Sequence, residues 1–125
     1  MYPTGAWRGY WEQILLGRQP MADLYLRFDS GQIDGDGVDV VGQFTFTGTY
    51  DGSGAVTLVK QYIGRHEVLY QGAYDGEGSI LGRWSIGGIQ SGPFALAPVL
   101  DEPRADAVVV ATGADASVRG TKEPR

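Results

Sequence analysis

Between Gly42 and Trp84 the chain alternates in polarity, and the alternation is interrupted at regular intervals. Phe44, Phe46, Gly48 and Tyr50 occupy one parity while Gln43, Thr45, Thr47 and Thr49 occupy the other. Side chains two apart on a strand share a face, so this segment reads as a strand with one dry side. Asp51-Gly52-Ser53-Gly54 then supplies residues that tolerate positive φ, as a hairpin reversal requires. Val56, Leu58, Lys60 and Tyr62 form the next parity set, and Gly64-Arg65 turns the chain. His66, Val68, Tyr70, Gly72 and Tyr74 line one side of the following strand, Asp75-Gly76-Glu77-Gly78 turns it again, and Ile80, Gly82, Trp84 and Ile86 carry the fourth. Strands joined by glycine turns at this spacing predict an antiparallel meander within an all-β barrel or sandwich.

The flanks extend the same pattern. Gly5 to Gln13 reads as the first strand, with Trp7, Gly9 and Trp11 on one parity and two indole N–H groups that each need an acceptor if enclosed. Met1 to Thr4 reads as a flexible lead, and Ile14 to Pro20 as a loop turning at Gly17 to Pro20. Met21 to Asp29 is the second strand, with Leu24, Leu26 and Phe28 inward, and Ser30-Gly31 turns it. Gln32 to Val41 is the third, and its glycines at 35, 37 and 42 predict a strand broken by a bulge or split into two short arms. Gly87-Gly88 precedes a last strand, Gln90 to Pro98, with Phe94 and Leu96 inward. The count is eight. Eight consecutive antiparallel strands can close into an up-and-down barrel, and closure removes the exposed sheet edges.

Composition sets the limits of the domain. All 14 aromatic residues lie at or before Phe94, so the core belongs to residues 1–98. Residues 99–125 hold no aromatics and one short apolar cluster around Val108-Val109-Val110, which fits either a disordered tail or a segment that docks on a partner. The 125-residue chain carries a net charge of −5 and no cysteine. Six basic residues face ten acidic ones over residues 1–98, which lacks the cationic footprint that nucleic acid requires and argues against an anionic membrane as partner. No apolar run approaches the length that spans a bilayer and no signal region opens the chain, so a soluble cytoplasmic protein is expected.

Gly5-Ala6-Trp7 resembles the G-x-W motif that opens the first strand in calycins, the superfamily of lipocalins, fatty-acid-binding proteins and avidins. Together with Gly82-Arg83-Trp84-Ser85 and eight up-and-down strands, it looks most like the small lipocalin-like or avidin-like barrels. The T-D-Y motif of lipocalins is absent, and so is any disulfide. The resemblance implies an eight-stranded antiparallel barrel that can hold a ligand along its axis, and leaves the ligand class open.

Several residues are candidates for chemistry. Lys60, Tyr62, His66, Tyr70 and Trp84 share an inward parity on adjacent strands, with Trp11 and Phe46 beside them. Apolar walls with a few convergent polar groups are how small-molecule sites are built. A buried lysine needs a carboxylate, a tyrosine or an anionic ligand; otherwise Lys60 and His66 sit at strand ends with their tips in water. Asp34, Asp36 and Asp39 lie close together but miss the spacing of a calcium loop, and turn chemistry accounts for them, so no metal and no cofactor is expected. No nucleophile with a partnered base is visible, which argues against an enzyme. The sequence thus predicts a non-catalytic barrel binding a small hydrophobic or amphipathic ligand. The alternative is an assembly or homo-oligomer module using the tail or an outer face carrying Tyr10, Tyr25, Thr45, Thr47 and Thr49.

Overall fold

The computed structural model describes residues 1–100. It is all-β: β1 (Gly5–Gln13), β2 (Gly17–Asp29), β3 (Gln32–Val38), β4 (Gln43–Tyr50), β5 (Val56–Tyr62), β6 (Glu67–Tyr74), β7 (Ile80–Ile86) and β8 (Gln90–Pro98). Each strand pairs antiparallel with the next, and β8 pairs with β1, so the sheet closes into the expected eight-stranded barrel. Residues of the inward parity meet around the axis, among them Leu24, Leu26, Phe44, Phe46, Leu58, Tyr70, Trp84, Phe94 and Leu96, all buried. The outer wall carries Thr45, Thr47, Thr49, Asp34, Asp36, Arg27 and Arg83, with the exposed Tyr25, Leu69 and Leu81 among them. Among the described residues no helix is long and apolar enough to cross a membrane.

An up-and-down barrel puts alternate turns at opposite ends. The turns β2–β3, β4–β5 and β6–β7 crowd one pole, where aspartate chemistry shapes them. The Asp51 carboxylate accepts the N–H of Ser53 (2.9 Å) and Ala55 (3.1 Å), and Asp75 repeats the arrangement with Glu77 (2.7 Å) and Ser79 (3.0 Å). Ser30 and Gly31 both hold positive φ, as the tightest hairpin reversal demands. Glycine also lets neighbours come close inside the barrel. A Cβ on Gly92 would stand 2.7 Å from the Trp84 indole nitrogen, so its absence makes room for that ring over β8.

Four local expectations are revised. The turn after β1 is shorter than expected: Leu16 N–H donates to the Gln13 carbonyl (3.1 Å), and β2 starts at Gly17, so Pro20 already pairs with Tyr10. β3 is regular against β4 throughout, and the bulge lies in β2 around Asp23, whose φ is 52°. The third strand stops at Val38, because residues 39–42 form a hairpin closed by reciprocal Asp39 and Gly42 backbone bonds of 3.1 Å. The lead is also packed. Tyr2 is buried, donates its hydroxyl to the Gly54 carbonyl (2.6 Å) and sits among Trp7, Phe28, Tyr50 and Tyr74, plugging the aspartate pole. The tail readings, disorder or docking through Val108 to Val110, lie outside the described residues.

A flexible lead would tolerate truncation at Tyr2, whereas a plug does not. Tyr2→Ala is expected to destabilise the barrel by about 3 kcal/mol, the cost of emptying a buried aromatic site, in urea unfolding followed by tryptophan fluorescence.

Candidate functional site

The opposite pole is built around one buried ion pair. Lys60 on β5 is fully buried, the only lysine among the described residues, and its ammonium donates to Asp39 Oδ2 at 2.6 Å. The Asp39 side chain is likewise sealed from water. Oδ2 also accepts the Tyr62 hydroxyl (2.8 Å) and the Trp11 indole N–H (3.1 Å), while Oδ1 accepts the Val41 N–H (2.9 Å). The ammonium donates a second bond to the Tyr70 hydroxyl at 3.1 Å and faces the Phe44 ring at 4.2 Å and the Tyr62 ring at 4.8 Å. Sealing two charges from water is costly, and donors and acceptors placed on nearly every side offset that cost.

Sheet register explains the convergence. Phe46 stands opposite Lys60, Phe44 opposite Tyr62 and Tyr70 opposite Trp84, so three cross-strand pairs on β4 to β7 aim at one level of the axis. Trp11 reaches the same level from β1, and the β3–β4 turn swings Asp39 inward. Asp39 continues the inward parity of Ile33, Gly35 and Gly37, whereas Asp34 and Asp36 point outward, Asp34 to a surface pair with Arg27.

Above this level lies a pocket of about 160 Å³. Of the seven predicted site residues, Trp11, Tyr62, His66, Tyr70 and Trp84 line it, together with Val68 and Ile86 on the walls and Gln13, Leu16, Val41 and Gln90 at the rim. Lys60 and Phe46 do not reach it. Lys60 is held behind the two tyrosines, and Phe46, fully buried, packs against Phe44 and Tyr70 with ring centroids 5.2 Å away from each. His66 is exposed at the mouth, its ring 5.2 Å from that of Tyr62. Asp39 is the residue that sequence reasoning missed. Its signal was the inward parity of position 39 combined with the need of a buried lysine for a carboxylate.

Burial depresses the Lys60 ammonium from its ordinary 10.5 to about 8, even though Asp39 pulls the other way, so it is charged at neutral pH. Burial alone would raise the Asp39 carboxyl, but the hydrogen bond and charge of Lys60, with the Tyr62 and Val41 donors, bring it below its ordinary value. The Tyr62 and Tyr70 phenols are both pushed up by burial and by Asp39, which keeps them neutral donors.

Removing one partner strands the other charge. Lys60→Met alone is expected to cost about 3–5 kcal/mol in urea unfolding, and a cycle with Asp39→Asn should show strong coupling between the two sites. The pH dependence follows by linkage. Below 10.5 the unfolded lysine keeps its proton, while the folded one loses it above about 8, so Lys60 makes stability rise with pH across that window. The depressed Asp39 makes stability fall as pH drops through the acid range below its ordinary 3.8. Tyr62 and Tyr70, held protonated in the fold, reverse the alkaline trend once unfolded phenols ionise above about pH 10. Wild type should therefore gain stability between about pH 8 and about pH 9.5 relative to Lys60→Met, measured by urea melts at each pH.

No protein-family model, no curated protein and no solved structure matches this chain.

Proposed function

We propose that the protein is a non-catalytic, lipocalin-like barrel of the cytoplasm that binds a small, largely apolar ligand in the pocket above the Lys60–Asp39 pair. The observation that carries this reading is the pocket's construction. It has aromatic and aliphatic walls from Trp11, Val68, Trp84 and Ile86, and a base of two neutral phenols fixed from behind by a buried ion pair. Few polar groups in rigid positions among apolar walls are the usual make-up of a small-molecule site. A volume of about 160 Å³ suits a molecule of one ring or two small fused rings, by comparison with apolar cavities of roughly 150 Å³ that take benzene.

The base also states what the ligand should carry. The Tyr62 hydroxyl is spent on Asp39. The Tyr70 oxygen accepts from Lys60, and no acceptor among the described residues takes its proton. A ligand with a carbonyl or carboxylate oxygen would satisfy that donor, which the adjacent ammonium polarises. An amphipathic ligand fits better than a plain hydrocarbon.

Acetophenone, benzoate, indole and toluene form a suitable panel, with the emission of Trp11 and Trp84 and the melting temperature as readouts. Saturable changes with acetophenone or benzoate are expected. Tyr70→Phe should weaken those two about tenfold, the worth of one hydrogen bond to a polarised donor, and leave toluene unchanged. Ile86→Trp, which fills the pocket from the wall, should abolish all binding. A flat response across the whole panel in both readouts rejects the reading.

A further inference from the structure

The two poles differ in what their turns expose. The aspartate pole shows Ser30-Gly31, Asp51 to Ala55 and Asp75 to Ser79, with no large apolar side chain in any of these turns. At the pocket pole every turn carries one: Ile14, Leu15 and Leu16 between β1 and β2, Val40 between β3 and β4, Ile63 between β5 and β6, and Ile89 between β7 and β8. These are not half-hidden residues, since Ile14 is 97% exposed, Leu15 89% and Ile89 88%. Four turns far apart in sequence thus ring the mouth with aliphatic tips, and Leu16 and Val41 continue that ring into the pocket wall.

Charge follows the same axis. The pocket-pole turns contain one acid, Asp39, which is neutralised by Lys60, and one base, the exposed Arg65; beside them stand the Glu12–Arg18 pair and the exposed Glu67. The aspartate pole holds Asp51, Asp75 and Glu77 in its turns and Asp29 beside them, all exposed. The aspartate-pole turns thus carry three acids and no base, whereas Arg65 and Glu67 offset each other at the pocket pole, so the apolar ring sits at the less acidic of the two ends.

We propose that this ring docks on the surface of a lipid bilayer, with its aliphatic tips in the headgroup and upper acyl region and the pocket mouth opening onto the membrane. The composition of the ring favours lipid over a protein partner. Protein interfaces draw their energy from Trp, Tyr and Arg anchors, whereas this ring is Ile, Leu and Val on separate protruding tips. Exposed apolar clusters of this kind mark interaction sites, and insertion of several tips removes each from water without requiring a complementary surface. Arg65 suits the lipid phosphates and the acidic pole faces away from them. The chain's own C-terminal segment is not the nearest candidate, because the Val99 N–H is bonded to the Ala6 carbonyl and so the chain leaves β8 at the plugged pole.

Flotation of the full chain with phosphatidylcholine–phosphatidylserine vesicles tests this, alongside sedimentation velocity without lipid. Wild type is expected to float with the vesicles. A variant combining Ile14→Glu, Ile63→Glu and Ile89→Glu should remain at the bottom of the gradient while keeping its circular dichroism and melting temperature, because all three side chains are already in water. Leu81→Glu, on the outer wall, should float like wild type. Wild type that stays at the bottom, or a triple variant that floats equally well, overturns the proposal. So does a lipid-free dimer that the triple variant dissociates, which would assign the ring to a second copy of the chain. Pocket binding by the panel above does not depend on the three substituted tips, so the two readings fail separately.

Discussion

A lysine ammonium sealed inside a barrel of hydrocarbon and aromatic rings constrains everything around it. Removing such an ion from water costs several kcal/mol even after relaxation, and the fold tolerates it only because partners stand ready in fixed positions. Here Asp39 supplies the opposite charge, Tyr70 an oxygen, and Phe44 and Tyr62 the electron-rich faces of their rings. These groups come from the β3–β4 turn and from β4, β5 and β6, and Trp11 ties in β1 through the same carboxylate. Two charges thus fix the relative positions of five segments separated by up to 59 residues, Trp11 to Tyr70. The pair acts as a lock on the register of the barrel at the level where the pocket begins.

The remainder of the barrel is divided by that level. Towards the aspartate pole the interior is filled with side chains, ending in the Tyr2 plug among four other aromatics. Towards the other pole it is left unfilled, though wide rings are at hand: Trp11 and Trp84 meet edge to face at 6.1 Å and form walls rather than a lid. Their N–H groups are engaged, Trp11 by Asp39 and Trp84 by the Glu12 carbonyl at 2.9 Å. An anchored indole cannot easily rotate into the space beside it, so hydrogen bonding to the scaffold is what holds the pocket open.

How much of this could be read from the chain depended on whether the signal was local. Period-two alternation and glycine turns are local, and they placed all eight strands and most of their inward residues, though not the start of β2 or His66, which lies exposed in the β5–β6 turn. Glycine in the third strand was misleading: Gly35 and Gly37 suggested a break, but a Cβ there would strike the neighbouring strands, so they serve close approach within regular pairing. The Asp39–Lys60 contact was half legible, since parity turned both residues inward while only the hairpin at 39–42 brings them together. The Tyr2 plug was hidden because a four-residue lead has no periodicity to read. The apolar ring was hidden for another reason. Each tip is an ordinary exposed residue in its own turn, and only barrel closure collects the four turns at one end.

The ion pair is poorly explained by stability alone. Apolar groups of matching volume in place of a buried pair often leave a protein as stable or more so, because the charges never recover their full hydration. What hydrocarbon cannot supply is orientation. A leucine at 39 would accept nothing, so Trp11 and Tyr62 would lose the bonds that aim them, and a methionine at 60 would leave the Tyr70 phenol without the cation that polarises it. All three of these residues line the pocket. The charges are costly to the interior, and what they supply in return is the orientation of the side chains that line the space above it.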